Sequence, residues 1–152
     1  MTKNALVLAC TVFLFGCDIA VDTDKTSEVE WLNTPGADSA NWPFSSAVRV
    51  DNLLFLSGQL GYDSEAGALV EGGIGPETRK TLENISQTLE DFGSSMDKVV
   101  KCTVFLADMS EWAAMNEVYT TFFVNKPARS ALGVSGLALN ARTEIECIAV
   151  VD

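Results

Sequence analysis

The distribution of apolar and polar residues after position 46 predicts a folded domain of short strands and two helices. Five apolar, β-branched runs are typical of strands: residues 47–50, 53–59 and 99–106, and two runs that begin near Ala128 and Arg142. Asp51 and Asn52 separate the first two runs. Both residue types tolerate a positive φ, so this pair favours a two-residue hairpin turn.

The first of two helical segments opens with Pro76 and Glu77 and stops at Gly93. Proline in the first turn and glycine just past the last turn are typical of helix ends. Apolar residues at helical spacing form one face of this segment: Leu82, Ile85, Leu89 and Phe92. This face is expected to pack on the sheet.

The second helical segment is expected to begin at a cap at Asp108 or Ser110 and to end at Phe123. Its apolar stripe is interpreted as part of the core, and consists of Trp112, Met115, Tyr119 and Phe122. The resulting order, β-β-α-β-α-β-β, predicts an α+β fold with both helices on one face of one sheet.

The other face of the predicted sheet also needs cover. Residues 53–56 and 104–106 are apolar without alternation, so both sides of these strands are apolar. Two helices can cover only one side. The pattern therefore predicts that another subunit buries the second face.

The first 17 residues have the pattern of an export signal. Lys3 precedes an apolar run at residues 5–16, which is shorter than the ~20 residues of a membrane span. The run ends at Cys17 in a sequence that resembles a bacterial lipobox, in which the cysteine is acylated and becomes the mature N-terminus. A plain signal peptide or a short membrane anchor are the alternatives.

This interpretation divides the chain into three parts. Residues 1–16 are expected to be a lipoprotein signal peptide, and residues 17–40 a lipidated Cys17 followed by a disordered, acidic tether. Residues 41–152 form the folded domain. The protein is then expected to be exported and lipid-anchored to a bacterial membrane, facing the periplasm.

The same division of the chain indicates what becomes of the four cysteines. Cys10 would leave with the leader and Cys17 would carry lipid, whereas Cys102 and Cys147 lie inside apolar strands. An oxidising compartment permits a disulfide between the last two. Two buried, reduced thiols that pack as small apolar side chains are the favoured expectation.

Composition excludes several classes of function. The net charge of −11 disfavours binding to nucleic acid, because the phosphate backbone is also negative. The chain contains no histidine, which removes Ser-His and Cys-His nucleophile pairs and the commonest zinc ligand. The cysteine spacing does not match a metal site, and the glycine-rich residues 72–75 lack the lysine of a phosphate-binding loop.

Two charged residues in the last two strands are the best candidates for chemistry. Arg129 stands in a run of small and apolar residues, and Glu144 stands near the start of the final strand. A guanidinium binds a small carboxylate through paired hydrogen bonds, and a carboxylate can orient or activate a water molecule.

These residues belong to a series of motifs that resembles the reactive intermediate deaminase (Rid, or YjgF) family between about residues 43 and 150. The motifs occur in order at residues 43–45, 55–61, 101–108, 115–119, 122–123, 127–130 and 144–146, with Asn84 in the first helix. The resemblance implies a chorismate-mutase-like fold and a homotrimer with strands around a central barrel. It implies sites in clefts between subunits.

The resemblance also implies an activity, the hydrolysis of enamine or imine intermediates to a 2-oxo acid and ammonia without a cofactor or metal. Arg129 is expected to bind the substrate carboxylate, and Glu144 to hold the water. The resemblance places six further residues in the cleft: Phe44, Ser57, Gly58, Asn116, Ser130 and Ala131. Two of these depart from the family pattern, because Phe44 replaces a tyrosine and Ala131 a cysteine.

Two other classes of function stay open at this point. One is a carboxylate-binding or chaperone-like trimer of the same fold without turnover. The other is a structural surface trimer in which Arg129 is paired internally. The natural substrate does not follow from the residues.

Overall fold

An antiparallel pair of eight-residue strands forms the centre of the sheet in the computed structural model, which describes residues 26–152. The strands and α-helices of these residues are, in chain order, β1 (Val29–Leu32), α1 (Pro35–Ala40), β2 (Ala47–Val50), β3 (Leu53–Leu56), β4 (Gln59–Leu60), β5 (Tyr62–Asp63), β6 (Ala68–Leu69), α2 (Ile74–Asp91), β7 (Val99–Leu106), α3 (Trp112–Tyr119), β8 (Ala128–Gly133) and β9 (Thr143–Val150). The central pair is β7 and β9.

The main sheet has the strand order β1-β2-β3-β9-β7-β8, and β4 also pairs with β9. The only parallel pair within residues 26–152 is β7 with β8, which α3 connects. The other pairs are antiparallel. A separate hairpin of β5 and β6 lies between β4 and α2. The predicted order β-β-α-β-α-β-β is confirmed for β2, β3, α2, β7, α3, β8 and β9.

The core lies between α2, α3 and one face of the sheet, as the helical stripes predict, except that Trp112 is exposed rather than part of the core. Leu82, Ile85 and Leu89 of α2 and Met115 of α3 are fully buried. Strand residues whose side chains alternate toward the helices complete the core: Leu54, Leu56, Cys102, Val104, Leu106, Ile145, Cys147 and Ala149. The sheet face that these residues share is called the helix face below.

The end of α3 differs from the prediction. The helix ends at Tyr119 rather than Phe123, and a short 3₁₀ turn at Met109–Glu111 precedes it. The hydroxyls of Thr120 and Thr121 donate to backbone carbonyls one turn back, which satisfies the last carbonyls of the helix locally. Such bonds favour a turn over continued helix.

Residues 29–40 correct the predicted domain boundary at position 41. Instead of a disordered tether, residues 29–32 form β1, which pairs with β2 along its whole length, and α1 follows it. Val29 and Trp31 alternate with Glu30 on this edge strand. β1 is stabilised by backbone pairing with β2. A strand can therefore form here although the segment is polar.

The expectation of reduced thiols is wrong: Cys102 and Cys147 form a disulfide. The two residues face each other in the β7–β9 ladder, and their Cα atoms are 4.1 Å apart. The sequence alone does not show that β7 and β9 pair in the register that places Cys102 opposite Cys147. A cross-link between residues 45 positions apart stabilises a fold by about 4 kcal/mol if its effect is mainly on the entropy of the unfolded chain.

The signal peptide at residues 1–16, Cys17 and the first part of the tether lie outside the described residues. Among residues 26–152, none of the helices combines the length and the apolar character that a bilayer crossing requires.

The second face of the main sheet, called the open face, is apolar, and none of the helices within residues 26–152 covers it. Trp31, Val48, Phe55 and Ile148 follow each other across four strands on this face. Trp31 is 70% exposed and Phe55 is also exposed, whereas Val48 and Ile148 are half-buried. Leu132 of β8 is a further exposed residue on this face. The predicted apolar second face is therefore present, and residues 26–152 of the single chain leave it uncovered.

Candidate active site

Arg129 on β8 points to the helix face, because it pairs with the buried Cys102 of β7. Its Nη1 donates a hydrogen bond of 2.6 Å to Oδ1 of Asn116 on α3. Its Cζ lies 4.6 Å from the centroid of the Tyr119 ring. None of the ion pairs within residues 26–152 involves Arg129. The guanidinium is therefore fixed by neutral groups and keeps most of its N–H donors free for an anion.

Glu144 on β9 points to the open face, because it pairs with Phe105 of β7, three residues from Cys102. Its carboxylate lies against the backbone of Gly58: a Cβ on that residue would come within 2.8 Å of Cδ of Glu144. A side chain at position 58 would therefore displace the Glu144 carboxylate. Burial raises the pKa of Glu144, and the negative charge of nearby Glu146 raises the pKa further.

Glu77 holds the backbone that leads into Glu144. Its side chain is only 4% exposed, and Oε1 accepts hydrogen bonds from the backbone N–H groups of Arg142 (2.6 Å) and Thr143 (3.1 Å). The backbone of Gly61 packs against Glu77 so closely that a side chain there would collide. Glu77 thus fixes the start of β9 from the first turn of α2.

Ser57 and Phe44 lie at the same end of the sheet as Gly58. The Ser57 hydroxyl donates to the backbone carbonyl of Ser45 at 2.7 Å, so it anchors the loop that carries Phe44. Phe44 is 52% exposed and stacks on Trp42, with ring centroids 5.3 Å apart. Ser57 therefore serves as a loop anchor, whereas the Phe44 ring is available for contact.

Ser130 and Ala131 take opposite directions on β8. Ser130 is exposed on the open face and accepts a hydrogen bond of 2.8 Å from Nζ of Lys101. Ala131 lies on the helix face, beside Val104, and packs against the core.

The predicted site residues thus fall into two groups on opposite faces of the sheet. The arginine half-site consists of Arg129 with Asn116, Tyr119 and Ala131 on the helix face. The glutamate half-site consists of Glu144 with Gly58, Ser57 and Phe44. Within the described part of the chain, no hydrogen bond or ion pair joins the two groups. One chain does not bring Arg129 and Glu144 together.

Two residues of this arrangement were missed in the sequence. Glu77 was interpreted only as an acidic residue at a helix start, and no local pattern shows that it binds the backbone 65 residues later. Tyr119 was interpreted as core. Its spacing of three residues from Asn116 places both on one side of α3, and that spacing is the signal that could have linked Tyr119 to the site.

Residues 26–152 contain no cluster of three or more potential metal ligands. The groups available for chemistry in the two half-sites are a guanidinium, a carboxylate, an amide, an aromatic ring and backbone N–H groups. Together they can bind a carboxylate and accept a proton from water.

The chain matches the family described as Endoribonuclease L-PSP over residues 35–151. It is 42% identical over 120 residues to the mouse (Mus musculus) 2-iminobutanoate/2-iminopropanoate deaminase, an alignment that spans 78% of this chain and 89% of the mouse protein. The human protein of the same name is 40% identical over 120 residues, which cover 78% of this chain and 88% of the human protein.

Solved structures share the fold. YyfA of Yersinia pestis, described as a Rid family protein of unknown function, superposes with a TM-score of 0.75 at 36% identity, covering 82% of this chain and 100% of YyfA. Escherichia coli TdcF with bound serine superposes with a TM-score of 0.69 at 31% identity, covering 73% of this chain and 90% of TdcF. The fold is therefore the YjgF-like α+β fold that the resemblance implies.

The raised pKa of Glu144 can be tested directly. The side chain should titrate above the ordinary glutamate value of ~4.3, because burial disfavours its charged form. Glu146→Gln removes one neighbouring negative charge and should lower the pKa of Glu144. Carboxyl ¹³C chemical shifts recorded against pH measure both effects.

Glu117→Gln serves as the matched control, since it makes the same charge change at an exposed position on α3. It should leave the Glu144 titration unchanged. A Glu144 titration at or below the ordinary value would contradict the description of this carboxylate as desolvated.

Proposed function

Because the chain belongs to the Endoribonuclease L-PSP family, which includes the Rid proteins, we propose that it hydrolyses 2-imino acids to 2-oxo acids and ammonia. The relatives named 2-iminobutanoate/2-iminopropanoate deaminase support this activity at 40–42% identity. The observation in this chain that carries the proposal is the guanidinium of Arg129, which Asn116 fixes without a carboxylate partner. It is suited to bind the carboxylate that every 2-imino acid contains.

The reaction needs little from the protein beyond placement. Arg129 binds the substrate carboxylate, so the imine carbon has a defined position. A water molecule held by Glu144 adds to the carbon of the protonated imine, and Glu144 accepts the proton that the water loses. Glu144 returns this proton to the nitrogen of the resulting carbinolamine. The C–N bond then breaks while the hydroxyl group loses its proton to solvent, and ammonia and a 2-oxo acid are released.

The raised pKa of Glu144 is consistent with this role. A carboxylate with a higher pKa is a stronger base, and its proton affinity comes closer to that of the group it must deprotonate. The same carboxylate in its protonated form can return a proton to the leaving nitrogen.

An oligomer would complete the site. Arg129 and Glu144 lie on opposite faces of one sheet, so they can meet only if different chains supply them. The exposed apolar residues of the open face, Trp31, Phe55 and Leu132, support burial against another copy. We propose a homotrimer whose three clefts each combine the arginine half-site of one chain with the glutamate half-site of its neighbour.

A small carboxylate suits this chain better than RNA, despite the name of the family. The net charge of −11 repels a phosphate backbone, and a single guanidinium is a site for one small anion. The serine bound to TdcF is an amino acid with the same α-carboxylate. The Phe44 ring, which carries no hydroxyl, would contact the apolar part of the substrate.

The chain is further proposed to act outside the cytoplasm, lipid-anchored through Cys17. The leader pattern at residues 1–17 supports export, and the Cys102–Cys147 disulfide supports an oxidising compartment. An exported enzyme would meet imines that form outside the cell or cross the membrane.

Lipidation is tested by growing cells that express the full chain with radiolabelled palmitate. Wild-type protein and Cys10→Ala should incorporate the label, whereas Cys17→Ala should not. Label in Cys17→Ala, or none in the wild type, would contradict the anchor and leave the proposed activity untouched.

The role of Arg129 is tested by turnover of 2-iminobutanoate generated in situ. Arg129→Ala should lower kcat/KM about 10²-fold or more, since it removes a charged hydrogen-bonding partner of the transition state. Arg79→Ala is the control, because Arg79 on α2 also stacks on an aromatic ring, that of Phe122. It should keep wild-type activity.

Wild-type hydrolysis no faster than in buffer would rule out the deaminase. Retained binding of 2-oxobutanoate without turnover would then select the carboxylate-binding trimer.

The shared site is tested by mixing two inactive chains. Arg129→Ala and Glu144→Gln should each be inactive alone, because each homotrimer lacks one group in every cleft. In randomly mixed trimers, about one cleft in four receives an intact Arg129 from one chain and an intact Glu144 from its neighbour. Co-expression should therefore restore about one quarter of wild-type activity. Recovery of no activity, with mixed trimers confirmed by mass spectrometry, would show that the two groups do not act in one cleft.

A further inference from the structure

We infer that Tyr119 is a positioning residue, whose ring face holds the guanidinium of Arg129 in the orientation that binds the substrate carboxylate. The inference rests on the proposed function, because it assigns a role in the same carboxylate-binding site. It concerns a side chain that the sequence alone places in the core.

The ring of Tyr119 is itself held rigidly. The side chain is 5% exposed and contacts Phe123, with ring centroids 4.7 Å apart and ring planes tilted by 39°. Because Phe123 packs against one side of the ring, the Tyr119 ring is restricted to one orientation. The Arg129 Cζ atom lies 4.6 Å from its centroid, within the ~6 Å range of a cation–π contact.

Asn116 and Tyr119 act on different parts of the guanidinium. Asn116 Oδ1 accepts one hydrogen bond at Nη1, while an aromatic ring attracts a cation without accepting an N–H in the guanidinium plane. The two residues are three positions apart on α3, so they form one cradle on one side of the helix. The cradle restricts Arg129 and leaves most of its in-plane donors for a carboxylate.

A ring is better suited to this task than an acidic side chain. An aspartate or glutamate beside Arg129 would form an ion pair and compete with the substrate carboxylate for the same donors. The Tyr119 ring stabilises the positive charge of Arg129 from the face of the guanidinium. It places no oxygen at the guanidinium edge that binds the substrate carboxylate. This explains how a partly buried arginine stays ordered without an ion pair in the described part of the chain.

The hydroxyl of Tyr119 is separable from the ring. Its Oη is buried and forms no hydrogen bond with the described residues. Burial raises the pKa of Tyr119, so the ring stays a neutral phenol at any physiological pH. The inference therefore attributes the effect to the ring face and predicts that the hydroxyl is dispensable.

The test measures binding of 2-oxobutanoate to the full-length protein by titration calorimetry, with imine turnover in parallel. Tyr119→Phe should bind within about twofold of wild type, because the ring face remains. Tyr119→Leu should raise both the Kd for 2-oxobutanoate and the KM about tenfold, with a smaller effect on kcat. Phe122→Leu is the matched control, since it removes a nearby ring that packs against the core and whose cationic neighbour is Arg79 and not Arg129.

A second series keeps the fold constant. Phenylalanine at position 119 is replaced by singly and then multiply fluorinated phenylalanine, which weakens the negative ring face while the shape hardly changes. The Kd should rise with each added fluorine. The binding of 2-oxobutanamide, which lacks the carboxylate, should stay level across the series, because it does not depend on the orientation of Arg129.

The outcomes separate the inference from the proposed function. Equal Kd values across the fluorinated series, with Arg129→Ala still weakening 2-oxobutanoate binding, would overturn the role of Tyr119 alone. An equal weakening in Phe122→Leu and Tyr119→Leu would also overturn it, since that result indicates general packing. No effect of Arg129→Ala on 2-oxobutanoate binding would overturn the carboxylate site and the inference with it.

Discussion

The registers that β7 forms with β8 and with β9 determine the directions of both charged side chains of the candidate site. Cys102 joins Cys147 across this pair and lies beside Arg129 in β8, whereas Phe105 lies opposite Glu144. Because side chains alternate along a strand, a slip of one residue would move Glu144 into the core. The disulfide prevents that slip, so the covalent bond and the backbone pairing specify the same arrangement.

The sheet separates the two charges of the candidate site within one chain. Arg129 and Glu144 lie on opposite faces, so neither neutralises the other in the single chain. On opposite faces, the guanidinium is held by an amide and a ring, and the carboxylate is partly desolvated against Gly58. Each group is thus ready to act on a third molecule.

Local patterns predicted the elements whose stability is mainly local, and failed where distant segments decide. The stripe of α2 and the runs of β7 and β9 were readable, and family motifs supplied Arg129 and Glu144. β1 was missed because an edge strand owes its stability to its neighbour, and Glu77 because its partners are backbone N–H groups of another element. The disulfide needed a register that only the folded sheet provides.

The cystine also has a topological consequence. Together with residues 103–146 it closes a covalent ring, and this ring contains α3, β8 and every residue of the arginine half-site. A protease that cuts an exposed loop within the ring converts the chain into two pieces that stay joined through sulfur. Wherever the disulfide stays oxidised, the segment that carries Arg129 can thus survive a broken backbone.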